Sequence, residues 1–219
     1  MGSRKDKREI RCVIYDCDGV LFDSLEANRR LYSHICVSMG RKPLTKKELD
    51  YCHTHTVFEA IHFLFENSEE EKRTLEFLRH NVDLKQFVEY LVMEPHLLEA
   101  LTILRQRKIV TAISTNRTTS MRHIIERFGL QPYFDMVVTA LDVQHPKPHA
   151  ESVEKIVSAF NLNKKEVLFV GDSDVDKQTA EASGVGFVAY KARYLSEDAF
   201  IDDHLALLNF LSDGHALQE

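Results

Sequence analysis

The chain has 219 residues, a length that suits one large domain or a core domain carrying a smaller insertion. Hydrophobic residues make up 44% and charged residues 28% of it, values typical of a globular protein with a substantial core. The 34 Asp and Glu residues outnumber the 28 Lys and Arg residues, and the net charge of −6 argues against a nucleic-acid partner.

The first predicted strand, residues 10–15, is followed by a long segment in which apolar residues recur with helical spacing. Gly40 ends the first helix of this segment, and Ser68 with Glu71 resembles a capping box at the start of the fourth. The predicted helices span residues 26–39, 46–51, 57–65, 69–79 and 84–92.

From residue 94 onward, strands alternate with helices. The predicted strands span residues 109–113, 136–139, 167–170 and 186–190, and the helices span 96–107, 119–128, 149–160, 175–182 and 199–211. This alternation predicts an α/β fold with a Rossmann-like parallel sheet and helices on both faces. The expected division is a core domain, residues 1–24 and 94–219, with an inserted helical cap domain, residues 25–93.

The cysteines and the hydropathy pattern give evidence on the cellular location of the protein. The four cysteines form no Cys-x-x-Cys pair, which argues against a zinc knuckle or a thioredoxin-like motif. The sequence contains no recognisable signal peptide and no apolar run long enough to cross a bilayer. We therefore expect a cytoplasmic protein without a membrane partner.

Two carboxylates, Asp16 and Asp18, directly follow the first predicted strand and precede Gly19. Side chains two residues apart on a strand project to the same face, so these carboxylates would share one small volume. Because like charges this close repel, the pair needs a shared cation or proton, which indicates a metal site, an acid/base pair, or both. A calcium loop fits poorly, because the twelfth position, which requires glutamate, is Ala27.

Three further polar clusters follow later strands of the predicted sheet. They are Ser114-Thr115-Asn116, His145-Pro146-Lys147-Pro148 and Gly171-Asp172-Ser173-Asp174-Val175-Asp176. Ligands of open α/β sheets bind at the carboxyl ends of the strands, so we expect all the clusters to meet at one edge.

The combined residue types suit phosphoryl transfer. A carboxylate nucleophile that approaches a phosphate meets like-charge repulsion, which a bridging Mg²⁺ would offset. A lysine and a hydroxyl would hold the remaining phosphoryl oxygens. A second carboxylic acid would protonate the leaving alkoxide and then activate water. The chain supplies each of these groups.

On these motifs the sequence resembles the haloacid dehalogenase superfamily, specifically its phosphoglycolate-phosphatase-like branch. The resemblance runs from Ile10 to Tyr190 and also includes Pro132-Tyr133-Phe134-Asp135. It implies Mg²⁺-dependent hydrolysis of a small phosphorylated metabolite through an aspartyl phosphate.

The resemblance also implies a role for each matching residue. Asp16 looks like the nucleophile, and Asp18 like the general acid/base, with its main-chain carbonyl on Mg²⁺. Lys147 looks like the lysine that stabilises the phosphoryl group. The phosphate cradle would comprise Ser114, Thr115 and Asn116, and the metal site would comprise Asp16, Asp18, Asp172 and Asp176, with Asp176 as outer support.

The cap segment departs from the family pattern. Phosphoglycolate-like members often carry a glycine-containing loop there, whereas residues 51–56 contain no glycine, which argues against phosphoglycolate itself as the substrate. His53 and His55 are candidates to bind an anionic substrate group, although two histidines in a polar stretch are commonly just exposed. Arg117 is a further candidate contact that could equally cover the following helix.

Several alternatives share part of this pattern. A sugar-phosphate mutase similar to β-phosphoglucomutase would use the same core, although Asp176 is more typical of hydrolases. A non-catalytic phosphate-binding protein is a further alternative. A dehalogenase is disfavoured, because such an enzyme uses one aspartate and would not need Asp18. A phospho-receiver module is disfavoured because its acceptor aspartate, hydroxyl and lysine follow a different order along the chain. The sequence leaves the substrate and the oligomeric state open.

Overall fold

The computed structural model describes residues 9–212. Its strands are β1 (Cys12–Tyr15), β2 (Phe22–Asp23), β3 (Val92–Met93), β4 (Val110–Ser114), β5 (Met136–Val138), β6 (Val167–Gly171), β7 (Gly186–Tyr190) and β8 (Phe200–Ile201). Six of them form one sheet in the order β5–β4–β1–β6–β7–β8, and every neighbouring pair in it is parallel. The predicted α/β fold is confirmed.

The helices divide into two groups along the chain. Between β2 and β3 lie α1 (Leu25–Ser38), α2 (Lys46–Thr54), α3 (Val57–Leu64), α4 (Ser68–Asn81) and α5 (Lys85–Val88). The strands of the large sheet are connected by or followed by α6 (Leu97–Gln106), α7 (Ser120–Arg127), α8 (Glu151–Ala159), α9 (Asp174–Ser183) and α10 (Leu207–Ser212).

Strand β1 lies at the centre of the core, with all four side chains fully buried. Val13 and Tyr15 pack in one hydrophobic cluster with residues of α6 and α7. Cys12 and Ile14 pack in another cluster with residues of α8 and α9. Because successive side chains of a strand point to opposite faces, this division shows that helices cover both faces of the sheet, as predicted.

The register of the central strands brings their carboxyl ends together. Tyr15, the last residue of β1, is paired with Ile113 of β4 on one side and with Val170 of β6 on the other. The residues that follow these three strands therefore begin at the same edge of the sheet.

Helices α1 to α3 share a hydrophobic cluster of their own, which includes Ile35, Cys52 and Ile61. The chain enters and leaves this helical segment through β2 and β3, which pair antiparallel with each other. The predicted domain boundaries, after residue 24 and before residue 94, fall beside this pair, and the division into two domains stays a prediction.

Several predicted elements differ from the structure. Helix α4 begins at Ser68, and its N-cap is Asn67, whose side chain accepts a hydrogen bond from the Glu69 N–H, so the predicted Ser68 cap is wrong. The helix predicted over residues 84–92 ends at Val88, because the chain then pairs as β3. The helix predicted over 199–211 starts at Leu207, because the residues before it include β8.

No helix within residues 9–212 combines the length and the apolar character that crossing a bilayer requires. The cytoplasmic location stays a prediction.

Candidate active site

Asp16 is the first residue after β1, and its main-chain N–H donates to the Val170 carbonyl at 3.0 Å. The Lys147 Nζ donates to Asp16 Oδ1 at 2.8 Å and to Asp176 Oδ1 at 2.6 Å. All three side chains are buried. Charges this far from water are tolerated only when they are paired, and here one ammonium joins the carboxylate after β1 to a carboxylate after β6.

Lys147 is held in place through its main chain. The Asn116 side-chain amide donates to the Lys147 carbonyl and accepts from the Lys147 N–H, both at 3.1 Å. These two hydrogen bonds tie the loop before α8 to the residues that follow β4. The side chain of Asn116, predicted to contact phosphate, is thus engaged with the lysine main chain.

Asp176 organises the loop after β6. Its Oδ2 accepts hydrogen bonds from the Asp172 N–H at 3.2 Å, the Ser173 N–H at 3.2 Å and the Ser173 hydroxyl at 2.7 Å. With Lys147 on Oδ1, both of its carboxylate oxygens are occupied. Among residues 9–212, no hydrogen bond reaches the Asp172 carboxylate, which is therefore available to another partner.

Two glycines allow close approaches at the strand ends, Gly19 between the loops after β1 and β6, and Gly171 within the segment that joins β6 to α9. Gly19 has a φ of +72°, and a Cβ placed on it would lie 1.9 Å from Asp172 Oδ2. A Cβ on Gly171 would lie 2.3 Å from the Asp176 Cβ. No side chain fits at either position, so the spacing of the acidic groups depends on both glycines.

Asp16, Asp172 and Asp176 form a compact carboxylate cluster, in which one oxygen from each lies within 4.8 Å of the others. Burial, followed by the repulsion from Asp176, raises the pKa of Asp16 to about 7, although Lys147 opposes the shift. Burial, followed by the repulsion from Asp176 and Asp16, raises the pKa of Asp172 well above its usual range, although Lys147 opposes this shift as well.

Three carboxylates and one ammonium leave a formal charge of −2 in this cluster, which one divalent cation would balance. Its donors are all oxygen, the type that Mg²⁺ prefers, so the residues present fit this ion. Of the four predicted metal residues, Asp16, Asp172 and Asp176 come together, whereas the Asp18 carboxylate lies outside the cluster.

Asp18 is bound by Arg117 in a bidentate ion pair. Arg117 Nε donates to Asp18 Oδ2 at 2.7 Å, and Nη2 donates to Oδ1 at 2.6 Å. Burial alone would raise the pKa of Asp18, but the charge and the hydrogen bonds of Arg117 prevail and lower it. The Asn28 amide, from α1, also donates to Asp18 at 3.4 Å.

Ser114 and Thr115 lie at the end of β4 and are buried. The Ser114 hydroxyl donates to the Ser152 hydroxyl of α8 at 2.8 Å. The Thr115 hydroxyl accepts from the Arg117 N–H at 3.1 Å. Both predicted phosphate contacts thus lie at the expected edge, with their hydroxyls engaged by protein groups.

The two predicted cap histidines differ in their surroundings. The His53 Nδ1 lies 2.9 Å from the amide nitrogen of Asn28, the residue that also contacts Asp18. The His55 ring stacks on Tyr51 with centroids 3.9 Å apart, and its Nδ1 lies 2.9 Å from the Tyr51 carbonyl. His53 is therefore connected to Asp18 through Asn28, whereas His55 packs against the end of α2.

Two cavities lie between the strand ends and the inserted helices. The smaller, about 20 Å³, is lined by both aspartates after β1, His53, Lys147 and Asp172. The larger, about 70 Å³, is lined by Asp18, Arg117 and both cap histidines, together with apolar side chains. Asp18 and His53 line both cavities.

Sequence reasoning missed the polar residues that support the site. Asn28 lies within an amphipathic helix, and Ser152 lies in the first turn of another, where neither has a distinguishing local pattern. Ser173 lies inside the acidic cluster after β6, and its position three residues before Asp176 is the spacing of a capping box, a signal that could have identified it.

A family model described as haloacid dehalogenase-like hydrolase matches residues 13–190. The chain belongs to this family. This haloacid dehalogenase-like hydrolase is 23% identical to pyrophosphatase PpaX of Oceanobacillus iheyensis, over 94% of the chain and 99% of that relative. It is 27% identical to the phosphoglycolate phosphatase of Rhodobacter capsulatus, over 83% of the chain and 84% of that enzyme.

A crystal structure of a haloacid dehalogenase-superfamily hydrolase from Geobacter sulfurreducens is 36% identical to this haloacid dehalogenase-like hydrolase. The match covers 97% of the chain and 100% of the solved chain, with a TM-score of 0.75. The predicted family and the prediction of a hydrolytic enzyme are confirmed.

Proposed function

We propose that the protein is a Mg²⁺-dependent phosphatase that hydrolyses a small phosphate monoester through an aspartyl phosphate. The observation that carries this proposal is the contact of Lys147 with both Asp16 and Asp176, next to the unpaired carboxylate of Asp172. This arrangement combines a carboxylate nucleophile with positive charge for the phosphoryl oxygens and with donors for a metal ion.

The proposed reaction has two steps. In the first, an Asp16 oxygen forms a bond to phosphorus, the bond to the leaving alkoxide breaks, and Asp18 gives that alkoxide a proton. In the second, Asp18 takes a proton from water, the water oxygen attacks phosphorus, and the bond to Asp16 breaks. Asp18 regains its proton, Asp16 its carboxylate, and inorganic phosphate leaves.

Lys147 and the residues after β4 would hold the phosphoryl group. The Lys147 ammonium, 2.8 Å from Asp16 Oδ1, is close enough to follow the charge onto the transferred oxygens. Ser114 and Thr115 would contact the phosphoryl group after exchanging their present hydrogen bonds. Asn116 would act by positioning Lys147, since its side chain holds the lysine main chain.

Asp16, Asp172 and the main-chain carbonyl of Asp18 would hold Mg²⁺, with Asp176 as outer support. When bound, this ion would offset the repulsion between the Asp16 carboxylate and the substrate phosphate. The outer role suits Asp176, because its two oxygens already accept hydrogen bonds from Lys147, Ser173 and Asp172.

The larger cavity is the proposed site for the leaving group of the substrate. It adjoins Asp18, and Arg117, His53 and His55 would supply contacts for a polar or anionic group. The names of the two relatives, pyrophosphatase and phosphoglycolate phosphatase, support a small phosphorylated substrate.

The test is a screen of phosphorylated metabolites with Mg²⁺, in which phosphate release is measured. We expect turnover of at least one substrate, loss of turnover in Asp16→Asn because an amide is a poor nucleophile, and unchanged turnover in the exposed control Asp198→Asn. Retained activity in Asp16→Asn would refute the proposal.

A sugar phosphate that isomerises without phosphate release would support the mutase alternative instead, and tight binding without any turnover would support a phosphate-binding protein.

A further inference from the structure

A second group of metal-ligating side chains lies in the segment that carries Lys147. His145, His149 and Glu151 each offer one ligand atom, and these atoms lie within 4.8 Å of one another. The two imidazole rings have centroids 4.8 Å apart, and the His145 Nδ1 lies 3.2 Å from Glu151 Oε2. None of the three residues belongs to the carboxylate cluster of the proposed active site.

The carboxylate of this group is fixed before any ion binds. Glu151 is the first residue of α8, and its Oε1 accepts from the Gln144 N–H at 2.8 Å. Its Oε2 accepts from the His145 N–H at 2.9 Å. These bonds close the segment that contains Lys147, and each carboxylate oxygen keeps a further lone pair for a metal ion.

Two imidazoles and one carboxylate are a donor set typical of zinc sites that keep an open position, whereas Mg²⁺ prefers oxygen alone. Zinc ligands lie roughly 2.0–2.2 Å from the ion, so two of them on one ion are separated by about the 3.2 Å seen between His145 and Glu151. We propose that His145, His149 and Glu151 bind a transition-metal ion of the Zn²⁺ type.

Coordination through the Nδ1 of His149 requires one local exchange. This nitrogen accepts a hydrogen bond from the Glu151 N–H at 3.2 Å, and coordination would displace that long bond. The freed N–H lies at the first residue of a helix and is one that has no partner within the helix, so water can replace the imidazole.

A bound ion would link His145 to His149 across Pro146, Lys147 and Pro148. The site would therefore stabilise the segment whose main chain Asn116 also holds. Because an ion that binds the folded chain stabilises it, Zn²⁺ at this site should raise the melting temperature.

The test is calorimetric titration of the untagged, full-length chain with Zn²⁺ in the presence of saturating Mg²⁺, combined with the imidazole ¹⁵N shifts. We expect one Zn²⁺ per chain, a coordination shift of the His145 and His149 resonances, and Zn²⁺-dependent stabilisation. The variants His145→Ala and His149→Ala should each weaken binding at least about tenfold. The control His80→Ala, which removes an exposed histidine near the end of α4, should bind like the parent.

Unchanged Zn²⁺ affinity in the double variant His145→Ala, His149→Ala would overturn the proposal, as would unmoved ¹⁵N resonances of these two residues. Circular dichroism of each variant, recorded without Zn²⁺, separates loss of the ligand from loss of the fold.

Discussion

Arg117 holds both carboxylate oxygens of Asp18, at 2.7 and 2.6 Å, and so neutralises the residue proposed to move the proton. A carboxylate paired in this way keeps a low pKa and does not carry a proton. In the proposed reaction the pair must separate, and an anionic group of the substrate in the adjoining cavity would compete for the guanidinium.

Replacing Arg117 by Gln should therefore change the pH dependence of the reaction. Without the guanidinium, burial dominates at Asp18, its pKa rises, and the limb of the kcat/KM profile that depends on Asp18 moves to higher pH. We also expect a higher KM for substrates with a second anionic group. Arg122→Gln removes an exposed arginine of the next helix and serves as the control. Identical pH profiles in the parent and the Arg117 variant would contradict the inferred coupling.

Asn116→Ala should lower kcat by more than its loss of unfolding free energy can explain. It removes two hydrogen bonds to the Lys147 main chain, a loss that costs roughly 1–3 kcal/mol of unfolding free energy. The misplaced lysine should reduce turnover at least about tenfold, because small displacements of a catalytic group are costly.

The matched variant is Asn67→Ala, which removes a helix cap and about 1 kcal/mol of stability far from the strand ends. It should leave kcat unchanged. Urea unfolding and saturation kinetics on both variants give the comparison, and equal losses of kcat would show that stability alone is responsible.

Gly19→Ala should abolish Mg²⁺-dependent turnover. The new Cβ would lie 1.9 Å from Asp172 Oδ2, so the aspartate or the loop must move. Gly40→Ala is the control, because that residue also has a positive φ, +80°, but a Cβ there meets nothing within 4 Å. Both variants carry the backbone strain, and only the first carries the clash. Calorimetric titration with Mg²⁺ should show weakened binding in Gly19→Ala alone.

Asp172→Asn should have opposite effects on stability and on activity. In the absence of metal it removes a partly buried charge that Asp16 and Asp176 repel, so the melting temperature should rise. The same change should abolish turnover and the stabilisation that Mg²⁺ gives the parent protein. Asp174→Asn, at an exposed neighbouring position, should change neither property. A lower melting temperature of metal-free Asp172→Asn would show that repulsion does not dominate the cluster.

His204 should make the fold sensitive to mild acid. Burial lowers its pKa from 6.5 to about 4 in the folded chain, so between these values the unfolded chain binds more protons. Stability is therefore lost as the pH falls from about 6.5 towards 4, by roughly 2 kcal/mol at pH 5. In His204→Phe this component disappears, and the difference in unfolding free energy between pH 7 and pH 5 should shrink accordingly. Urea titrations at both pH values measure it, and an equal pH dependence in both proteins would contradict the assignment.

The fold and the location of the proposed site could be predicted because both follow from local patterns. The apolar residues of β1 indicate a buried strand, and the polar residues that follow it must lie at the carboxyl end of that strand. Because the strands are parallel, their carboxyl ends lie at one edge of the sheet. Asp16, Lys147 and Asp176 meet there, as the clusters indicated.

The partners of individual side chains could not be predicted. Arg117 and Asp18 are 99 positions apart in the chain, and their contact depends on side-chain conformations that no sequence pattern reports. The amide of Asn116 suits a phosphate as well as a main chain, and only the position of Lys147 decides between them. Strand β8 has two residues, too few to show a period, and the sequence around it predicts the start of a helix instead.

The pairing of β2 with β3 sets Phe22 beside Met93 and Asp23 beside Val92. The helical segment therefore begins and ends at the same place, because the two strands that flank it are paired with each other. A segment of different length and sequence could connect β2 to β3 while β1 and β4 keep their register. The residues at the ends of β1, β4 and β6 would then keep their positions, while the part of the cavity lining that the insert supplies would change.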